Sequence, residues 1–215
     1  MPISSSIRNA SLAMLCIGTL CVAHPVHAGI HGIRAWGGGR QIGHAGATFR
    51  SAQGGITHAR GSRAVGPNGS AARGSYTSVN PDGSVTHQSA GHANGVNGGS
   101  ASGSSSYTRN PDGSAQGSFQ QAVHTAAGGN YSSSGGYARD SSGNWNASRQ
   151  TSANNAKGGS YNGSTARSNG TFTHDTSIHG ANGNTYTGQT TYTKGQGLTH
   201  TGGCTNSSGA SVACQ

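Results

Sequence analysis

The chain has 215 residues, of which 39 are glycine, 30% are hydrophobic and 8% are charged, and its formal net charge is +9. Beyond residue 28 the large apolar side chains are one Leu, five Ile, six Val, three Phe, seven Tyr and two Trp. They are too few for a thick globular core, which leaves either disorder or a thin β-sheet held by backbone ladders and completed by self-association.

The N-terminus runs from Met1 to Asn9 with Arg8, then through an apolar stretch from Ala10 to Ala23, then to Pro25 and Val26-His27-Ala28. That order of basic, apolar and small-residue segments predicts a secretory signal peptide over residues 1–28, cleaved after Ala28. The apolar stretch is too short to span a bilayer, and no later segment is apolar enough to do so. Cys16 and Cys21 follow Leu15 and Leu20, where a lipoprotein signal needs a small residue. The expectation is therefore an exported chain, periplasmic or extracellular, with no transmembrane segment after cleavage.

Residues 29–74 are Gly-rich and basic. Arg34, Arg40, Arg50, Arg60, Arg63 and Arg73 fall here with no acid among them, whereas everything after Tyr76 balances six bases against four aspartates. This reads as a largely irregular arm with two short strands around Ile42-Gly43-His44-Ala45 and Ile56-Thr57-His58-Ala59. Its arginines form a candidate polyanion site, for lipopolysaccharide, acidic polysaccharide or DNA.

From Ser75 to residue 201 the chain repeats. Ser75-Tyr76-Thr77-Ser78-Val79-Asn80-Pro81-Asp82-Gly83-Ser84 returns 30 residues later as Ser106-Tyr107-Thr108-Arg109-Asn110-Pro111-Asp112-Gly113-Ser114. A weaker copy after another 30 ends in Asp140-Ser141-Ser142-Gly143-Asn144. Asn suits the first position of a type I turn, Pro presets φ at the next, and Gly takes the left-handed conformation that closes a three-residue hairpin loop with a bulge. Between these turns lie Gly98-Gly99, Gly128-Gly129 and Gly158-Gly159, so each unit holds two strands and two turns. Triples such as Val85-Thr86-His87, Trp145-Asn146-Ala147 and Phe172-Thr173-His174 alternate at period two, placing their first and third residues on one face. The fold class is mainly β, as an antiparallel hairpin meander or a β-solenoid-like stack of roughly 30-residue units.

The tail, residues 202–215, holds Cys204 and Cys214, whose default in an exported chain is a disulfide. If Asn206–Gly209 repeats the hairpin turn, Cys204 faces Val212 and Cys214 becomes a diagonal neighbour, so bridging calls for a bulge or a looser loop.

Enzyme readings lack parts. Asp82, Asp112 and Asp140 have conformational work in turns, Asp175 stands alone, and neither a nucleophile elbow nor a phosphate loop occurs. His44 with His58, and His174 with His200, hold equivalent places in neighbouring segments and would share a metal ion only if their strands were adjacent. Thr171-Phe172-Thr173, Thr185-Tyr186-Thr187, Thr191-Tyr192-Thr193 and Thr199-His200-Thr201 are unevenly spaced, unlike an ice-binding array, and follow from the strand preference of Thr with aromatics on the other face. The expectation is a non-enzymatic structural or adhesive component of a bacterial envelope or extracellular matrix. It needs no cofactor, and its partners would be its own strands, an anionic polymer or a cell-surface glycan.

Overall fold

The computed structural model describes residues 29–37 and 39–214, so the predicted signal peptide lies outside the described residues. These form fourteen strands and, among the described residues, no helix. They are β1 Gly29–Gly37, β2 Arg40–Arg50, β3 Ile56–Gly66, β4 Gly69–Val79, β5 Val85–Gly95, β6 Ser100–Arg109 and β7 Ala115–His124. There follow β8 Asn130–Arg139, β9 Trp145–Asn154, β10 Ser160–Ser168, β11 Thr171–His179, β12 Thr185–Thr193, β13 Gly197–Thr205 and β14 Ser211–Val212. All belong to one sheet in which spatial order equals chain order, and each strand touches only its sequence neighbours. The architecture is the hairpin meander, not the solenoid.

The turns have the expected chemistry. The Asn80 N–H donates to the Ser84 carbonyl at 2.9 Å, the Gly83 N–H to the Asn80 carbonyl at 2.9 Å, and Gly83 sits at φ +83. The same pair of bonds recurs at Asn110–Ser114, Thr125–Gly129, Asp140–Asn144, Asn155–Gly159, Gly180–Asn184 and Asn206–Ala210. At Asn169-Gly170 both residues have positive φ, the signature of a two-residue type I′ turn. Shorter connections there, and strands that fall from 11 to 9 residues, account for the contraction of the later units.

One expectation is corrected. Residues 29–74 are not an irregular arm but β1, β2, β3 and the first half of β4, and Gly74-Ser75 lies inside a strand. The Gly-rich backbone is ordered because each strand's peptide groups are paired by the next, and Ser51–Gly55 and Pro67-Asn68 supply the turns.

Residues directly opposite in an antiparallel pair share a face, so the registers define straight rows across the sheet. Ile42 faces Ala64, which faces Ala71, then Ala93, Ala101, Val123 and Tyr131. The row continues through Ala153, Tyr161, Ile178, Tyr186 and Cys204 to Val212. It crosses thirteen strands, roughly 60 Å, without a polar residue and without stagger. Closing a barrel requires stagger, and this sheet stays open.

No hydrophobic side chain is fully buried, and Ser84 and Ser133 are the only buried polar residues among those described. Stability rests on the ladders, the turns and cross-strand pairs in place of a core. The tail hairpin forms as expected, with Cys204 opposite Val212. β14 ends at Val212, so Ala213-Cys214 leaves the ladder and the disulfide closes with a Cα–Cα distance of 5.3 Å. Such a bond is compatible with an oxidising, exported location. Among the described residues no helix is long and apolar enough to cross a membrane.

Candidate binding face

Alternation along every strand sorts the side chains into two unlike faces. One carries the apolar row, most of the aromatics and most of the arginines. Nine arginines have described side chains, and the registers put Arg40, Arg50, Arg60, Arg73, Arg109, Arg139, Arg149 and Arg167 on this face. Only Arg63 points the other way. No aspartate within a strand shares the arginine face, because Asp82, Asp112 and Asp140 lie in turns and Asp175 is on the opposite side. We call it the aromatic face.

Three of the tyrosine rings lie down on glycines. A Cβ at Gly117 would meet the Tyr137 ring at 2.6 Å, and one at Gly163 or Gly188 would strike the ring of Tyr161 or Tyr186, two residues earlier in the same strand. A flat ring on a glycine covers backbone that has no side chain of its own and turns its other π surface outward. Phe119 and Trp145 are occupied differently: the guanidinium carbon of Arg149 is 5.9 Å from the Phe119 centroid and that of Arg167 is 4.1 Å from the Trp145 centroid.

Hydroxyls orient the central arginines. Arg149 donates to Ser133 Oγ at 3.0 Å and to the Tyr131 hydroxyl at 3.3 Å, and Gln121 donates to the same hydroxyl at 3.0 Å. Ser133, then Arg149 and Gln121, hold the Tyr131 hydroxyl below the usual tyrosine range. Arg60 bonds Ser75 at 3.1 Å and Arg73 bonds Ser62 at 3.2 Å.

The opposite face is a field of small hydroxyls and amides. A cavity of about 940 Å³ runs along it, lined among others by Ser104, Gln120, Ser134, Gln150, Ser164 and Asp175, so the sheet bends around this side. Asp175 accepts from Ser164 at 3.2 Å and Gln189 at 2.7 Å. The Thr-x-Thr triplets also belong here, with their central Phe172, Tyr186, Tyr192 and His200 on the aromatic face. Their uneven spacing does not keep them apart: Thr173, Thr191 and Thr199 are directly opposite one another across β11 to β13. A meander aligns residues symmetrically about its turns and has no use for a constant interval.

No family model, curated protein or solved structure matches the chain.

The predicted residues can now be placed. Arg34 lies in β1 opposite Gly43, and Arg40, Arg50, Arg60 and Arg73 share the aromatic face, from which Arg63 is excluded. Sequence reasoning missed that Arg109, Arg139, Arg149 and Arg167 extend the same face through the repeats. Period-two counting from the turn glycines would have found them.

The histidine pairs are not brought together. His174 and His200 share a row, but β12 intervenes with Thr190 between them, and His44 and His58 sit in different rows. Three of the four bond a threonine across a strand instead, His58 with Thr48, His174 with Thr165 and His200 with Thr190, as His87 does with Thr77, all at 2.8 Å. No group of three metal-ligating side chains occurs among the described residues.

Proposed function

We propose that the chain is an exported, non-enzymatic structural or adhesive element of the bacterial envelope or extracellular matrix. One observation carries the reading: among the described residues, a one-layer sheet without a buried hydrophobic core displays two broad surfaces. The concave side of the sheet, with its groove of about 940 Å³ lined by small hydroxyls and amides, is open along its length and not enclosed as a small-ligand pocket is, so the molecule is organised to display surface. The signal peptide expected over residues 1–28 and the Cys204–Cys214 bridge are consistent with export.

Most of the β13 edge has no partner strand, since only Cys204 and Thr205 pair with β14. An exposed edge of this kind templates addition of another strand, which favours association between copies. Two experiments bear on the reading. Fractionation of cells carrying a tagged copy should recover the chain outside the cytoplasm, and sedimentation of purified chain should show assembly that rises with concentration and falls in Leu198→Lys. A reduced, cytoplasmic monomer at all concentrations overturns the proposal.

A second reading, binding of a polyanion, is favoured by the gathering of eight arginines on a single face without a strand carboxylate. It replaces the arm with the whole aromatic face as the binding element.

A further inference from the structure

We propose that the aromatic face binds an extended acidic polysaccharide laid across the strands, with arginines on its acid groups and flat tyrosine rings against its sugars. The proposal rests on the polyanion reading and names the polymer.

The geometry selects the polymer through a shared period. Arg109 and Arg139 occupy one row with Ala115 between them, so their Cα atoms are two strands apart, about 9.6 Å. Tyr107 and Tyr137 occupy the next row of the same face on the same two strands, each two residues from its arginine and with Gly117 between them, again about 9.6 Å apart. Charge and ring therefore recur together. A polysaccharide of acidic disaccharides offers the same combination, one carboxylate and one apolar C–H surface per repeat. The ring of Tyr137 lies on Gly117, which Tyr107 faces from the other side, and presents an outer surface that can pack on a pyranose.

Nucleic acid fits less well. It brings a phosphate with every nucleotide, ~3.4 Å of rise in a duplex strand, and single-strand platforms stack successive bases on closely set rings. Here Tyr107 and Tyr137, and likewise Tyr131, Tyr161 and Tyr186, are separated by a whole strand, with only Phe172 and Tyr192 among the described residues facing one another on adjacent strands, and Phe119 and Trp145 already carry the guanidinium groups of Arg149 and Arg167. A lipid surface fits less well too. Two rows made mostly of hydroxyls, glycines and cations, including Arg60, Arg73 and Arg149, separate the apolar row from the row of Tyr107 and Tyr137, so the apolar band is one residue wide and flanked by charge.

The test titrates the exported chain with hyaluronan, which has one carboxylate per disaccharide, with neutral dextran and with single-stranded DNA, at two salt concentrations. The variants are the triple Arg109→Gln, Arg139→Gln, Arg149→Gln, its Lys counterpart, and Arg63→Gln on the opposite face, each checked for an unchanged β signal by circular dichroism. The expected result is salt-sensitive binding of hyaluronan, tighter than DNA and absent for dextran, weakened about tenfold or more in the Gln triple, retained in the Lys triple and unchanged in Arg63→Gln. DNA binding tighter than hyaluronan, or a folded Gln triple that binds like the parent, overturns this proposal and leaves the polyanion reading standing. Absence of salt-sensitive binding to both anionic polymers removes both.

Discussion

Ser84 and Ser114 each donate twice to the aspartate two residues earlier, through the hydroxyl at 2.7 Å and the backbone N–H at 2.8 Å. Those bonds, the hydroxyl first, hold the Asp82 and Asp112 carboxyls below the usual value of 3.8. A depressed folded-state value stabilises the turn at pH above the unfolded value, and the benefit is lost as pH falls below 3.8 through the folded value. Carboxyl titration by NMR should therefore place both midpoints below ~3.9, and Ser84→Ala should return Asp82 alone toward it. Equal midpoints in parent and variant would dissociate the serine from the carboxylate. Glycines test packing at the same scale. A Cβ at Gly135 meets the Ser148 carbonyl, the Phe119 ring at 2.9 Å and the Arg149 Cα at 3.1 Å, whereas one at Gly43 meets nothing within 4 Å. Gly135→Ala should cost about 1–3 kcal/mol in denaturant melts and Gly43→Ala should be neutral or mildly stabilising.

At the scale of the element, turns were readable because their chemistry is local. Asn-Pro-Asp-Gly specifies φ, donors and acceptors within five residues, and the hairpin it predicts at Asn80 and Asn110 is the one formed. The strands of residues 29–74 were harder to read. Their turns, Ser51–Gly55 and Pro67-Asn68, do not repeat that phrase, and their order depends on neighbours that local reasoning does not supply. The apolar row was hidden for a related reason. Ala64, Ala71, Ala93, Ala101 and Ala153 are unremarkable in sequence and become a stripe only when the register stacks them. The arginine face was legible in part: its members before residue 74 stood out by charge asymmetry, while Arg149 and Arg167 looked like isolated charges. The tail is a separable element. Reduction of Cys204–Cys214 should raise amide exchange at Ser211 and Val212, whose only strand partners are Thr205 and Cys204, and leave β2 to β12 protected. Loss of protection across the sheet would make the bridge a clamp on the whole fold.

For the whole molecule, the account stands on a single layer with spatial order equal to chain order. Distances within the apolar row measure this directly. Ala64 on β3 lies three strand steps from Ala101 on β6 and six from Ala153 on β9, which corresponds to separations of roughly 14 and 29 Å in a flat sheet. Cysteine pairs introduced at these positions and spin-labelled, with Cys204–Cys214 left oxidised, can be read by pulsed electron paramagnetic resonance. A separation that roughly doubles from Ala64/Ala101 to Ala64/Ala153, shortened only modestly by the bend, is the predicted result; a second distance equal to or below the first would mean that the sheet folds back on itself, and would contradict the single layer.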